Sequence, residues 1–564
     1  MRHLPFVSLL VFSACVETAP QLQTETAPVT VLGPLCTDRC ATVAERCAPF
    51  DLAQCEANCN AECLVAAGND CLAARRCSRP APTHPWSAGP YGTNVKDLAA
   101  SITFPTTEGD WSLDLEWTGE DSYVVLTNAG EEAAVFSQSL RPLLQASPRN
   151  VHYFFGFVTD QAGFQATRAR WETELQLLSP ADRDHWLTHV HFVPTRMDGI
   201  TAWVGTFMRT NRNTSFAIDR QQRIREIGML GRLAQGGTAY ELPMLANEVI
   251  AYNFEADREA RLAAQNVQVV QLATAQTAHD TIDVDMAIPD PSGFDTLEVD
   301  LSMECPQHLI ANCGAWDYLS HLRLCEPTTG ADGGASWDCS KELARWITTY
   351  WREGRWVTDI SAQLATLGTG GMKHFRWTAN GQFDPRRTDY ITTLSLRFIQ
   401  GNRGMRPTST TPLWTGGNWN ANYDAAKLPQ MVNVPATAKK VELVTLTTGH
   451  GGVQPTNCAE FCNHQHLFTV NGVLHKQEFP EAQQPSTCME RVNIGVVPNQ
   501  LGTWYYGRGG WCPGQDVAPF VVDVTADVTR GAVNTLTYRT EFNGAPVSAG
   551  LGNVVLSSWL VVWE

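Results

Sequence analysis

Seventeen cysteines constrain this 564-residue chain more than any other feature. Cys15 ends an apolar leader, and the remaining sixteen fall into two groups of eight, with none between Cys77 and Cys305. Even groups in an exported chain predict disulfides. Zinc is the competing reading, but Cys55 and Cys59 are spaced unlike a zinc ribbon, and an oxidising compartment disfavours thiolate ligands. Two of the closures are short. One runs from Glu304-Cys305-Pro306 to Cys313-Gly314-Ala315-Trp316-Asp317, the other is Asn457-Cys458-Ala459-Glu460-Phe461-Cys462. A ring as small as Cys458 to Cys462 removes little entropy from the unfolded chain, so its use is to hold a local backbone shape. Each closure fixes a carboxylate, Asp317 or Glu460, and the two could converge on one substrate.

Residues 1–15 have a basic start, an apolar run over 4–12 and the ending Ser13-Ala14-Cys15. That pattern predicts an export signal of lipoprotein type, with Cys15 lipidated and no spanning helix. Residues 16–35 read as a flexible tether. A cell-surface or outer-membrane lipoprotein is expected, otherwise a secreted protein, touching the membrane only through its lipid. The net charge of −17 repels phosphate backbones and excludes nucleic acid as a natural partner. A monomer is expected.

The chain is too long for one core. Residues 36–77 predict a small helical module stapled by bridges, with Cys55, Cys59 and Cys63 along one helix face. Residues 78–90 form a Pro-rich linker. Residues 91–265 predict an α/β domain: strand-like runs at 122–127, 151–158, 190–193 and 201–206 are interleaved with helical patterns at 131–145 and 166–178. The order suggests a thioredoxin-like layout, and the domain has no cysteine for dithiol chemistry. Residues 219–264 read as solvated helix. His189 and His191 alternate on a strand and are ordinary strand histidines. From 266 onward short strands and turn residues predict two β-sandwiches, over 266–428 and 429–564. The run 554–563 is apolar almost throughout, as for a strand buried on both faces.

Four separated segments of this region match a known family in order and spacing. They are Glu304-Cys305-Pro306 with Cys313 to Asp317; Glu342-Leu343-Ala344-Arg345-Trp346-Ile347-Thr348-Thr349-Tyr350-Trp351; Gly449-His450-Gly451 with Cys458 to Cys462; and Arg508-Gly509-Gly510-Trp511-Cys512-Pro513-Gly514. Over residues 266–564 the chain resembles the peptide-N-glycosidase F family. The resemblance implies two adjacent eight-stranded jelly rolls with the active cleft between them. It implies bridges Cys305–Cys313, Cys458–Cys462 and Cys488–Cys512, leaving Cys325 and Cys339 to each other.

The family hydrolyses the amide between an asparagine side chain and the first sugar of an N-linked glycan, so the implied partners are N-glycosylated proteins or peptides. The reaction needs a base for water, a proton for the leaving nitrogen and stabilisation of the oxyanion. By resemblance Asp317 is the principal catalytic aspartate and Glu460 its supporting glutamate. Arg508, Trp511, Trp316, Tyr318, Trp377 and His450 are the implied substrate-binding residues. No cofactor or metal is called for; His464 and His466 share a strand face but lack a further ligand. Two positions depart from the family pattern: Tyr318 replaces an arginine, and Trp377 falls where a third carboxylate belongs. The stretch 403–422 reads as an insertion that reshapes the cleft. The alternative function is a non-catalytic carbohydrate- or protein-binding surface module.

Overall fold

The computed structural model describes residues 34–211, 214–234, 237–330, 333–379, 389–451 and 457–564. The expected leader with Cys15 lies outside them. The chain divides into two compact units, residues 1–80 and 81–564.

In the first unit four short helices, Pro34–Arg46, Leu52–Asn58, Ala61–Ala67 and Cys71–Cys77, are joined by Cys36–Cys59, Cys40–Cys55, Cys47–Cys71 and Cys63–Cys77. Asp51, Asn60 and Asp70 each start a helix by accepting from the amide three residues on. Because Asn60 caps a new helix, Cys59 ends one helix and Cys63 lies on the next, so the expected single face of three cysteines is broken.

The second unit begins with the α/β domain. Its sheet is ordered Val190–Arg196, Val151–Phe157, Ser122–Asn128, Phe216–Ile218, Ile224–Glu226; the first three strands are parallel and the last two antiparallel. Every residue of Ser122–Asn128 and Val151–Phe157 is buried, as expected of parallel strands covered on both faces. Two expectations fail here. Residues 201–206 belong to helix Ala202–Asn211, where Val204, Phe207 and Met208 are buried at helical spacing. The stretch 219–264 holds three short strands, Ile224–Glu226, Gly231–Ala234 and Gly237–Tyr240, before helix Leu245–Ala264, and that helix buries Leu245 to Val249, Ala251 and Tyr252 instead of being solvated all round.

Two antiparallel sandwiches follow. In the first, one sheet is ordered Val267–Ala278, Tyr390–Ile399, Thr296–Glu304, Gly354–Asp359 and faces Thr281–Ile288, Gly371–Thr378, Leu319–Thr329, Ala335–Ile347. In the second, Pro407–Trp419, Gly552–Trp563, Lys440–His450, Phe520–Asp523 faces Gln430–Val434, Ala532–Phe542, His464–Val470, Val473–Glu478. Counting strands along each sandwich, the order in both is first-eighth-third-sixth against second-seventh-fourth-fifth, which is a jelly roll. Strand Pro407–Trp419 pairs with Gly552–Trp563, so the second sandwich starts near 407 and not at 429. The supposed insertion 403–422 is therefore mostly its first strand. Glycines, prolines and three register shifts disguise the alternation.

The sandwiches meet through a shared apolar layer. Along Gly552–Trp563, Leu560 and Val562 enter the second sandwich's core, while Trp559, Val561 and Trp563 join Ile347, Val444 and Leu446 between the sandwiches. Both faces of that strand end are buried, as its unbroken apolar run predicts. Arg345 crosses the same joint, donating to Thr448 Oγ1 at 2.9 Å and Val555 O at 2.8 Å while pairing with Glu342 at 2.7 Å. Among the described residues no helix is long and apolar enough to cross a membrane.

Candidate active site

Asp317 closes the loop that follows strand Thr296–Glu304. Cys305 and Cys313 are joined at its base, and Gly314 packs so closely on Tyr390 that a Cβ would sit 2.2 Å from its hydroxyl. Thr348 clamps the backbone on both sides of Asp317: its hydroxyl donates to Trp316 O at 2.7 Å and accepts from Tyr318 N at 2.7 Å. The aspartate is thus held by a strand pairing rather than left on a free loop tip.

Glu460 lies on the single helical turn Cys458–Phe461, closed by Cys458–Cys462 with Cα atoms 4.6 Å apart. The turn is pinned from several sides. Ala459 N donates to Leu551 O at 2.8 Å, His464 Nε2 donates to Ala459 O at 2.9 Å, and Gly509 N donates to Glu460 O at 2.6 Å. A Cβ on Gly449 would lie 1.7 Å from Ala459 O, so no side chain fits there.

Arg508 joins the two carboxylates. Its Nη2 is 3.8 Å from Asp317 Oδ2 and its Nε 3.6 Å from Glu460 Oε1. The rest of the guanidinium donates to Thr503 O at 2.8 Å, Tyr506 O at 2.6 Å and Thr503 Oγ1 at 3.1 Å. The Arg508 side chain is wholly sealed, whereas Asp317 and Glu460 keep 14% and 18% of theirs exposed. The two acids are thus the groups a solute can reach, and the arginine sets their charge from behind.

Burial raises Asp317 from its ordinary 3.8 to about 7; the neighbouring charge of Glu460 pushes the same way, against Arg508 and a hydrogen bond from Tyr350. Burial also raises Glu460, opposed by Arg508 and by Gly451 N, which donates to Oε2 at 3.1 Å. Burial and the adjacent Asp317 push the Tyr350 phenol up, so it stays protonated and donates. A carboxyl titrating near neutrality can take a proton from water and return it.

Other expected residues lie elsewhere. Trp316 is 48% exposed beside the site, edge-on to Tyr350, as suits an aromatic platform. Tyr318 is partly exposed next to Asp317. Trp377 does not line a cleft: it is 1% exposed in the core of the first sandwich, where Ile282 and Leu322 are its strand partners. Trp511 is likewise unavailable for sugar stacking. It sits in the layer between the sandwiches and donates to Gly449 O at 2.7 Å. His450 stacks on Trp511 with its Nε2 hidden, while the residue itself stays partly exposed; burial drives the imidazole down to about 3. Arg508, being sealed, cannot itself polarise a substrate carbonyl. Tyr350 was not singled out from the sequence, although it stands in the matched segment 342–351.

The remaining bridges are Cys488–Cys512 and Cys325–Cys339. Eight disulfides in the described residues belong to a protein that folds in an oxidising compartment. The histidines are used by the protein: His464 and His466 lie on strand His464–Val470 and His191 on Val190–Arg196, whereas His189 falls in the turn before that strand and does not alternate with His191. His464 Nε2 donates to a carbonyl, so its Nδ1 accepts from His466 Nε2 at 2.9 Å, and His466 Nδ1 accepts from Tyr538 Oη at 2.7 Å. His191 Nε2 lies 3.0 Å from His152 Nδ1, and His189 Nδ1 donates to His185 O. A grouping of Glu304, His308 and Glu353 with metal-like spacing surrounds Lys96, whose Nζ is 2.8 and 2.7 Å from the two carboxylates. The ammonium already supplies the positive charge.

A family model described as "Peptide-N-glycosidase F, C terminal" matches residues 418–561, inside the second sandwich. A curated relative, peptide-N(4)-(N-acetyl-beta-D-glucosaminyl)asparagine amidase F of Elizabethkingia miricola, is 25% identical over 267 residues, spanning 43% of this chain and 67% of the relative. Among solved structures, PNGase F, a glycosylasparaginase from Flavobacterium meningosepticum, aligns with TM-score 0.41 at 17% identity over 53% of this chain and 96% of that one. PNGF-II aligns with TM-score 0.39 at 14% identity over 54% and 68%. Through its C-terminal half, this chain is related to the peptide-N-glycosidase F family.

Proposed function

We propose that the chain is an exported amidase that cleaves the glycosyl-asparagine amide of N-linked glycoproteins or glycopeptides, with Asp317 as base and Glu460 as its partner. One observation carries the reading: two part-exposed carboxylates from separate sandwiches share one buried arginine. Ionised Asp317 takes a proton from water as the water oxygen bonds to the amide carbon. The carbon–nitrogen bond then breaks, and the proton on Asp317 passes to the leaving nitrogen. The products are an aspartate side chain and a glycosylamine. Glu460, raised by burial, orients the water or the sugar amide. Trp316 offers an apolar face to the first sugar.

The test is incubation with an N-glycosylated peptide in heavy-oxygen water. Label in a new aspartate is expected; an intact glycopeptide, even when denatured, removes the amidase reading. The second reading, glycan binding without turnover, draws on Trp377, which puts a buried indole where the family resemblance expects a third carboxylate. It predicts retention on immobilised glycopeptide with no label uptake.

Anchoring through Cys15 is proposed from the leader alone. A Cys15→Ser protein should leave the membrane fraction, and unchanged partitioning refutes lipidation. The α/β domain, with an antiparallel hairpin flanking its parallel strands, is proposed as a thioredoxin-like scaffold free of redox chemistry.

A further inference from the structure

The α/β domain takes no part in the amide chemistry, yet it is built into the site. Arg508 lies on the excursion between strands Val473–Glu478 and Gln515–Asp516. Val492, Val496, Trp504 and Tyr505 of this excursion share one hydrophobic core with Leu245 and Val249 of the helix Leu245–Ala264. Trp504 and Tyr505 are 0% and 1% exposed. Thr503 and Tyr506, on either side of this buried pair, supply the carbonyls that hold the Arg508 guanidinium.

A polar tie reinforces the apolar one. Glu248, on the same helix and wholly buried, accepts from Asn499 Nδ2 at 2.8 Å, from Gly228 N at 2.9 Å and from Arg352 Nη1 at 2.8 Å. Asn499 belongs to the Arg508 excursion; its carbonyl accepts from Met229 N at 2.7 Å, and its φ of 48° is a conformation asparagine tolerates. Arg352 belongs to the first sandwich and also donates to Pro498 O at 2.7 Å. Two residues earlier, Tyr350 N donates to Gln500 Oε1 at 2.8 Å. The junction has no slack: a Cβ on Gly228 would meet Arg352 Nη1 at 2.4 Å and Asn499 O at 2.5 Å.

We propose that the α/β domain positions the catalytic groups, and that Glu248 is the positioning residue tying the Arg508 excursion and the Tyr350 segment to one point. Only the kinetic consequence rests on the amidase reading; the effect on Asp317 does not. The charged and titratable groups facing Asp317 are Arg508, Glu460 and Tyr350. Loosening the knot lets Arg508 and Tyr350 recede, and both lower the Asp317 carboxyl. Its titration therefore moves upward.

The test uses the full chain and follows the Asp317 carboxylate by difference infrared titration, with Asp317→Asn as blank. In Glu248→Gln the midpoint is expected to rise by about half a pH unit or more. Turnover should fall about tenfold or more, with KM within about twofold, because the substrate still docks while the reacting groups are misplaced. A folded Glu248→Gln protein with wild-type titration and turnover overturns the proposal. If that variant does not fold, Trp504→Phe is read instead, and an unmoved Asp317 midpoint there overturns it equally. Trp111→Phe, packed against Tyr123 and Phe154 and outside the core that Leu245 and Val249 share with the excursion, should lower Tm and leave both readouts in place. An equal shift from it would reduce Glu248 to general stability and refute the assignment. If the wild type cleaves no glycopeptide, the amidase reading falls and the infrared titration alone decides.

Discussion

Asp317→Asn should make the protein inactive and, above neutrality, more stable. The folded state raises this carboxyl from 3.8 to about 7. At about 1.4 kcal/mol for each pH unit, ionising Asp317 in the folded protein costs about 4 kcal/mol at pH 8. A raised carboxylate is least costly below pH 3.8, and its penalty grows as pH rises from 3.8 to about 7. The neutral amide resembles the protonated acid and escapes the penalty. Urea titrations of the wild type and Asp317→Asn at several pH values should therefore coincide near pH 4 and diverge by about 2–4 kcal/mol at pH 8, the variant being the more stable. Turnover should fall on the order of 10²- to 10⁴-fold, the usual contribution of a general base. The wild-type rate should climb with pH through a midpoint of about 7, because the base works only when ionised. A variant less stable than wild type at pH 8, or a stability difference that ignores pH, would refute this account of the site.

Tyr350→Phe removes a hydrogen bond that favours the ionised aspartate, so the ascending limb of the pH–rate profile should move to higher pH, read from turnover across pH 5 to 9. Replacing both Cys458 and Cys462 by serine should cost only about 2 kcal/mol from so short a ring, yet lower turnover much more than Tm, because Glu460 loses its fixed turn. Arg345→Met strands the buried Glu342 beside His321 and should destabilise the joint by about 3–5 kcal/mol in denaturant melts. Trp377→Phe should lower Tm and leave turnover of the folded protein unchanged, which a glycopeptide assay checks directly.

The site was legible where local chemistry fixes geometry. The short cysteine closures single out Asp317 and Glu460, and the structure brings both to one arginine. The all-buried strands Ser122–Asn128 and Val151–Phe157 were visible as apolar runs. What stayed hidden depended on long-range packing. Arg508 and Trp511 sit in irregular backbone with no period to reveal which way a side chain faces, and both turned inward. Trp377 looked like a site residue because position was matched without burial. Residues 201–206 carry β-favouring types, but the spacing of Val204, Phe207 and Met208 decided for helix. Strand Pro407–Trp419 reads as an insertion in the sequence because its partner lies more than a hundred residues away. Tyr350 reaches Asp317 from another strand end, a proximity no local pattern encodes.

Strand Gly552–Trp563 feeds one sandwich with alternate residues and the joint with the others, and its pairing with Pro407–Trp419 closes a loop spanning most of the second half of the chain. Pairings so distant along the backbone slow folding. Asp317 belongs to the first sandwich and Glu460 to the second, so the distance between the two acids is set by how the joint packs: a substitution at Trp559 or Val561 can shift one acid against the other while touching neither.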